Sequence, residues 1–437
     1  MSTSIRYLRL FLHSVKEGKR PIGYLSQYGD ILRVSFDKDY IEDPHRPVLS
    51  LGYRGTTEAE TRAILSAARD VRLVRTDGRW PVYFQNLLPE GHNRLRLAKE
   101  RGCGADDEFE LLAAAGHDLM GGVEVEPVPG NEGIPDTVRH WHTALGLDVL
   151  EPGFVEFPME DAASLPGVVT KFSAVQEGRR YVVKRHGAAG SYILKLPTTR
   201  HPDLVENEFT GFRLAEALGL SCAKATILSR EEAALPENVS FSQILCVERF
   251  DRGAGGTRIH MEEFAQVLQY TPGQKYGKGL FEDYSGMLRI LDQLSARPAQ
   301  DVQEFVGRFI AFVLMGNTDA HLKNWALRYV NPAQLELAPL YDPVCVTALF
   351  ANVPAADYAI NRAIDAKLKA LTWDDIAELL RLADIPRRSF LLQLAKKTVR
   401  QAQAEWPALL KDAPDSVRVA VTERLEGAVH LARQSKS

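Results

Sequence analysis

The sequence predicts a two-lobed α+β protein, strands first and helices later, and three observations carry that prediction. Between Tyr7 and Leu51 apolar residues alternate with polar ones, as in Ile31-Leu32-Arg33-Val34-Ser35-Phe36, the period of half-buried strands. From Glu262 onward the apolar spacing becomes mainly helical. Between an apolar helical stretch (Phe305, Phe309, Ile310, Phe312, Val313) and an alternating run from Trp325 to Val330 stands the polar loop Asn317-Thr318-Asp319-Ala320-His321-Leu322-Lys323-Asn324. A polar loop held between two buried elements either faces a cleft or satisfies its groups internally.

The N-terminal elements are short strands around Tyr24-Leu25, Ile31–Phe36 and Pro47–Leu51, followed by helices at Thr56–Ala68 and Asn86–Arg101 and a third from Asp107 with acids in its first turn. Pro127 to Pro166, rich in Pro, Gly, Asp and Glu, reads as connector around Trp141. Lys171–Ala174 and Arg180–Lys184 form a predicted hairpin, and Ser191–Pro197 a strand. Glu206–Leu218 is a helix stopped by Gly219, and Ile244–Arg252 a further strand. Helices follow at Tyr284–Leu294, Val302–Met315, Trp373–Leu382, Arg388–Gln403 and Val417–Arg433.

At 437 residues the chain is long enough for two or three domains. Its 45% hydrophobic and 25% charged residues are those of a globular protein that stays out of membranes, and no apolar run approaches ~20 residues. Arg6 and Arg9 interrupt the first apolar stretch, which no small-residue cleavage pattern follows, so a cytoplasmic location is expected. Four scattered cysteines, Cys103, Cys222, Cys246 and Cys345, argue for buried thiols rather than a disulfide framework or zinc site. A net charge of -4 gives no general reason for nucleic-acid binding by the chain alone.

Phosphoryl transfer needs a positioned base, oxygen ligands for Mg²⁺ and a cation on the nucleotide phosphates. Asp319 and Asn324 stand five residues apart, the D-x-x-x-x-N spacing of a kinase catalytic loop, and Tyr341-Asp342 follows where a strand would deliver a metal-binding acid. Lys195, alternating with Ile193, would reach phosphates, and Glu208 one helix later would pair with it. Spacing alone leaves open an Asx-capped loop, an edge-strand lysine and a simple Asp-Pro turn. No G-x-G-x-x-G precedes Lys195; the stretches Ser164–Lys171 and His186–Ser191 are the available substitutes for a phosphate-covering loop.

These residues lie within a longer pattern. Phe84–Glu90, Phe109–Leu112 with Gly116–Val123, Ser164-Leu165-Pro166-Gly167 with Lys171, Leu194–Pro197, Asn207-Glu208-Phe209, Val247–Arg252, Gly316–Asn324 and Leu340-Tyr341-Asp342 together resemble the HipA family of bacterial serine/threonine kinases, in order and spacing. The resemblance implies a protein-kinase-like fold with a small α+β N-terminal domain at 1–125, a connector at 126–160, an ATP-binding part at 161–255 and a mainly helical lobe at 256–437. It implies Asp319 as base, Asn324 and Asp342 as catalytic ligands of Mg²⁺, and ATP contacts from Lys195, Lys171, Tyr341 and the hinge residues Glu248 and Phe250. His321 would either touch ligand or fix the loop by a hydrogen bond. Ser164 falls at the family's autophosphorylated serine, where added negative charge beside nucleotide would be repulsive. Two departures stand out: Val168-Val169-Thr170 replace polar loop residues, and Met261 replaces a frequent glutamine.

The family role implied is the toxin of a toxin-antitoxin pair. Its target would be a cytosolic protein such as a translation factor or aminoacyl-tRNA synthetase, its partner a HipB-like helix-turn-helix antitoxin, and its DNA contact only through that antitoxin. Three alternatives remain at this level. They are a small-molecule phosphotransferase, which also places a histidine two residues after its base; a catalytically inactive corepressor scaffold; and a metal-dependent hydrolase using Asp319, His321 and Asp342.

Overall fold

The computed structural model describes residues 4–128, 133–143, 146–149, 151–159, 171–183, 190–235, 241–350, 353–354 and 356–433. It divides into two compact units, each assembled from separated segments: Met1–Ile193 with Asp251–Gln274 and Arg328–Ala333, and Leu194–Phe250 with Lys275–Leu327 and Gln334–Ser437. The α+β class expected from the alternation and the helical spacing holds.

The first unit is built on an antiparallel sheet in the order β4-β3-β2-β1-β5, formed by β1 (Ser4–Ser14), β2 (Gly18–Tyr28), β3 (Ile31–Phe36), β4 (Val74–Arg75) and β5 (Val123–Pro127). Alternation in β1 and β3 sends Leu8, Leu10, Leu12, Leu32 and Val34 into the core, while Tyr7, on the opposite face of β1, packs with Ile5, Tyr24, Ile134 and Val138. Two expectations fail here. Pro47–Leu51 is not a strand: the Val48 N–H instead bonds the Pro332 carbonyl at 2.9 Å, and Ser50 and Leu51 donate to Glu262. The helix expected from Asn86 begins at Gly91 and runs to Arg101, because Pro89 and the extended bias it imposes on Leu88 separate it from the short helix Val82–Gln85. Trp141 lies on a two-stranded hairpin, His140–Thr143 with Gly146–Val149. The expected hairpin after it is present as Lys171–Glu177 paired with Arg180–Val183.

A buried ionic network holds the Gly116–Val123 turn in this unit. The Arg252 guanidinium donates to Asp118 Oδ1 (3.0 Å), Asp251 Oδ2 (2.9 Å) and the carbonyls of Leu119 (2.8 Å) and Gly121 (3.1 Å). Asp118 Oδ2 accepts from Ser173 Oγ at 2.7 Å and Asp251 Oδ2 from the Gly121 N–H at 2.7 Å. Gly121 adopts φ +64°, and a Cβ there would lie 2.6 Å from the Met261 nitrogen, so only glycine fits the turn.

A second buried cluster has a pH signature. Glu262, fully buried, accepts from Ser50 Oγ (2.6 Å), the Leu51 N–H (3.0 Å) and the Tyr329 hydroxyl (2.5 Å). Burial pushes its carboxyl up to about 7, although these donors pull the other way. Nearby His260 is pushed down to about 4 by burial, with Nε2 toward the Leu49 carbonyl (2.8 Å) and Nδ1 accepting from Gly122 N–H (3.2 Å). Glu262 therefore contributes stability that is full below its ordinary 4.5 and lost as pH rises through about 7. His260 acts oppositely: its contribution is full above 6.5 and lost as pH falls through about 4. Replacing Glu262 by glutamine removes the first effect only. Relative to wild type, Glu262→Gln should gain on the order of 3 kcal/mol between pH 4.5 and pH 8. Urea unfolding at both pH values checks this; an unchanged gap would mean that Glu262 binds no proton on folding.

The second unit is mainly helical. Its long helix Pro298–Met315, with proline in its first turn and Gly316 (φ +72°) as its left-handed cap, buries Phe305, Phe309, Phe312 and Val313. Arg308 of this helix donates to the carbonyls of Ala338 (2.7 Å) and Ser221 (3.2 Å). Helix Arg388–Leu409 docks through Trp406, whose indole N–H donates to the Leu214 carbonyl of helix Leu204–Ala217 at 2.9 Å. A helix at Ala359–Ala370 was not expected from spacing, and its interior buries mostly polar Asn361 and Asp365. Cys246 and Cys345 are buried and Cys103 and Cys222 half-buried; all four are free thiols. No helix among the described residues is long and apolar enough to cross a membrane.

Candidate active site

The polar loop is set by the elements on either side of it. Gly316 ends the long helix, and a Cβ on it would sit 2.2 Å from Thr347 Oγ1, so the chain turns here only because the residue is glycine. Beyond the loop, Trp325 is buried against Phe305, ring centroids 4.5 Å apart, with Phe312 and Tyr284 edge-on at 5.4 and 5.7 Å. The Ala320 carbonyl accepts from the Tyr284 hydroxyl (2.7 Å) and the Trp325 indole N–H (3.3 Å). Aromatic packing thus fixes a loop that carries no apolar residue except Leu322 and Ala320.

Within the loop Asn317, Asp319 and Asn324 are tied to one another through their side chains and backbone. Asn317 Oδ1 accepts from the Asp319 N–H at 3.1 Å, and Asn317 Nδ2 reaches the Asp342 carbonyl at 3.3 Å. Asn324 Nδ2 donates to the Asp319 carbonyl at 2.7 Å, which commits its nitrogen and turns its oxygen to other duty. His321 Nε2 stands 3.8 Å from Asp319 Oδ2. The Asp319 side chain is 40% exposed, whereas that of His321 is only 7% exposed.

Lys195 closes the other side of the constellation. It ends the strand Tyr192–Lys195, is buried, and its ammonium contacts both Glu208 of helix Leu204–Ala217 and Asp342. Burial by itself would lower the Lys195 pKa, but the charges and hydrogen bonds of Asp342 and Glu208 outweigh it and raise it, so the lysine stays charged at any working pH. The expected Lys195–Glu208 pair is therefore present. Asp342 is not delivered by a strand: Leu340 makes only an isolated bridge with Cys222, and Asp342 takes φ +53°. Aspartate tolerates that left-handed conformation better than most residues, and Pro343 follows it.

Of the remaining sequence candidates, Tyr341 donates its hydroxyl to the Lys323 carbonyl at 2.9 Å and packs on Phe250 with ring centroids 5.4 Å apart. Glu248 ends the strand Gln243–Glu248, its N–H on the Lys224 carbonyl at 2.8 Å and its carboxylate 3.4 Å from Lys224 Nζ. Lys171 is buried at the start of its strand in the first unit. Ser164, the Val168-Val169-Thr170 departure and His186–Ala189 lie outside the described residues.

Among the described residues no three His, Cys, Asp or Glu side chains cluster as a metal cage. Asn324 and Asp342 nevertheless carry oxygens of the hard type that Mg²⁺ takes. A profile of the HipA-like C-terminal domain matches residues 163–406, more than half of the chain, and one of the HipA N-terminal domain matches 14–126. The chain belongs to the HipA family. Y4dM of Sinorhizobium fredii, which carries a provisional kinase designation, is 32% identical over 394 residues, 89% of either chain. The serine/threonine-protein kinase toxin HipA of Shewanella oneidensis is 27% identical over 292 residues, 62% of this chain and 64% of that one. The HipA fold is shared throughout: a solved structure of Shewanella oneidensis MR-1 HipA with HipB and operator DNA superposes with a TM-score of 0.65 at 22% identity, covering 98% of this chain and 97% of that one.

The roles of three residues at this HipA-family site escape a sequence reading. Asn207 exchanges two hydrogen bonds with the Cys345 backbone (3.2 and 2.8 Å), fixing the Glu208 helix beside Asp342. Gly211, one turn on, lies so close to Pro343 that a Cβ would fall 1.6 Å from its carbonyl oxygen; a glycine inside a helical pattern was the available signal. Tyr276 donates its hydroxyl to Asp319 Oδ1 at 2.5 Å from 43 residues away, and nothing local in the sequence announces it.

Proposed function

We propose that this HipA-family chain is an ATP-dependent serine/threonine protein kinase, the toxin of a toxin-antitoxin pair. The reading rests on one observation: Lys195 is held between Glu208 and Asp342 in the same unit that carries the Asp319–Asn324 loop. An active kinase needs its strand lysine paired to a helix glutamate, with a metal-binding acid alongside. In this reading Asp319 accepts the acceptor hydroxyl's proton, Lys195 holds the α and β phosphates, and Asn324 Oδ1 and the Asp342 carboxylate hold Mg²⁺. The bound cation would neutralise charge developing on the transferred phosphoryl group. Phe250, Tyr341 and the backbone at Glu248 would border the adenine, with His321 as a further ligand contact. The wider proposal is a protein substrate in the cytoplasm, a HipB-like antitoxin as partner, and DNA reached through that antitoxin; the Shewanella oneidensis complex of HipA with HipB and operator DNA supports the antitoxin partner.

Ser164 is proposed as the autophosphorylated residue. Incubating the full chain with Mg-ATP and measuring intact mass should give a gain of about 80 Da per phosphate in wild type, absent from Ser164→Ala. Wild type without a mass gain, together with no Mg-dependent ATP binding by calorimetry, would leave a non-catalytic scaffold as the better description.

A further inference from the structure

The segment that carries Tyr276 is clamped at both ends. Before it, the Lys275 carbonyl accepts from the Leu322 N–H of the polar loop at 2.9 Å. After it, the N–H groups of Lys278 and Gly279 converge on Asp283 Oδ2 at 2.6 and 2.8 Å. Gly277, at φ +66°, permits the tight return, since a Cβ there would meet Asp283 Oδ2 at 2.2 Å. Between these anchors the Tyr276 ring stands edge-on to His321, centroids 5.5 Å apart, and its hydroxyl donates to Asp319 Oδ1.

A base that takes a proton from an acceptor hydroxyl must present one oxygen along a fixed direction, and a half-exposed aspartate has two rotors to settle. We infer that Tyr276 is a positioning residue for Asp319: its phenol holds Oδ1, leaving Oδ2, on the His321 side, for the acceptor. The inference rests on the kinase reading above. It differs from a self-inhibiting role, in which the phenol would occupy the acceptor's place and have to leave before catalysis. The clamps argue against departure, because the Lys275 carbonyl ties the tyrosine's own segment to the loop that carries the base and Asp283 holds the segment's other end.

The test compares Mg-ATP turnover, measured as ADP formed by the full chain, for wild type, Tyr276→Phe, Asp319→Asn and the double variant. Tyr276→Phe keeps the ring on His321 and removes one hydroxyl from a half-buried side chain. The expected result is a kcat about 10- to 100-fold lower, the worth of a hydrogen bond to a charged group, with the KM for ATP unchanged. The double variant should be no slower than Asp319→Asn, because the phenol acts only through the carboxylate. An unchanged kcat, or a double variant slowed further by the full factor, would reduce Tyr276 to packing and overturn the inference. A faster Tyr276→Phe would overturn it in favour of self-inhibition. Wild type no faster than Asp319→Asn would overturn the kinase reading and this role with it, whereas an active wild type matched by Tyr276→Phe overturns this role alone.

Discussion

Asp319→Asn should lower Mg-ATP turnover by about 100- to 10,000-fold while leaving the fold and nucleotide binding in place. The separation follows from where the carboxylate sits. At 40% exposure its charge is not part of a dry network, and the contacts that shape the loop run through its backbone: the Asn317 side chain to its N–H and the Asn324 amide to its carbonyl. Asparagine preserves those bonds and can still accept from Tyr276, but cannot take a proton from an acceptor. Transfer of label from ATP to protein, followed alongside calorimetric Mg-ATP binding, would resolve the two effects. Turnover that survived both Asp319→Asn and Asp342→Ala would place the chemistry elsewhere.

Arg252→Met should instead act on folding. The guanidinium side chain is 1% exposed and neutralises Asp118 and Asp251, themselves 0% and 6% exposed, and its removal leaves two buried carboxylates facing each other's field. Breaking a buried pair from one side costs about 3–5 kcal/mol, several times what an exposed pair is worth. Urea unfolding of Arg252→Met should show that loss. A midpoint equal to wild type would mean that water reaches the network. The surface pair Arg381–Glu378, more than 40% exposed on each side, provides the contrast, since Arg381→Met should leave the midpoint where it was.

Much of the site was readable in the sequence because its chemistry is carried by short runs. Asp319 to Asn324 lies on one loop, and Lys195 and Glu208 lie one strand and one helix apart, so spacing and type suffice to pair them. Asp342 was picked out by its position after the loop, although its delivery by a strand was wrong: the left-handed turn at Asp342-Pro343 depends on packing against Asn207 and Gly211, which periodicity does not encode. Tyr276 was invisible for a similar reason, its meaning lying in a contact made across 43 residues. Among the fold elements, alternation found β2 and β3 but left β1 unassigned and misread Pro47–Leu51, where extended backbone bonds side chains and a distant loop rather than a neighbouring strand. The helix Ala359–Ala370 was missed because it buries polar groups; Asp365 is satisfied by Arg424, a residue of a separate helical segment.

The division of the chain into interleaved segments bears on how the protein can be made. The first unit is completed by Arg328–Ala333, whose Tyr329 hydroxyl bonds Glu262 and whose Pro332 carbonyl bonds Val48. During synthesis the first unit therefore has all its segments, and its buried Glu262 all its donors, only after residue 333 has left the ribosome, about three quarters of the way along the chain. A truncation placed at any single point before that residue strips the first unit of a segment it contains, and the second unit in turn begins at Leu194 and needs the chain on both sides of the insertion. Neither unit is a removable cassette, and a nonsense mutation anywhere in the first three quarters leaves no intact half behind.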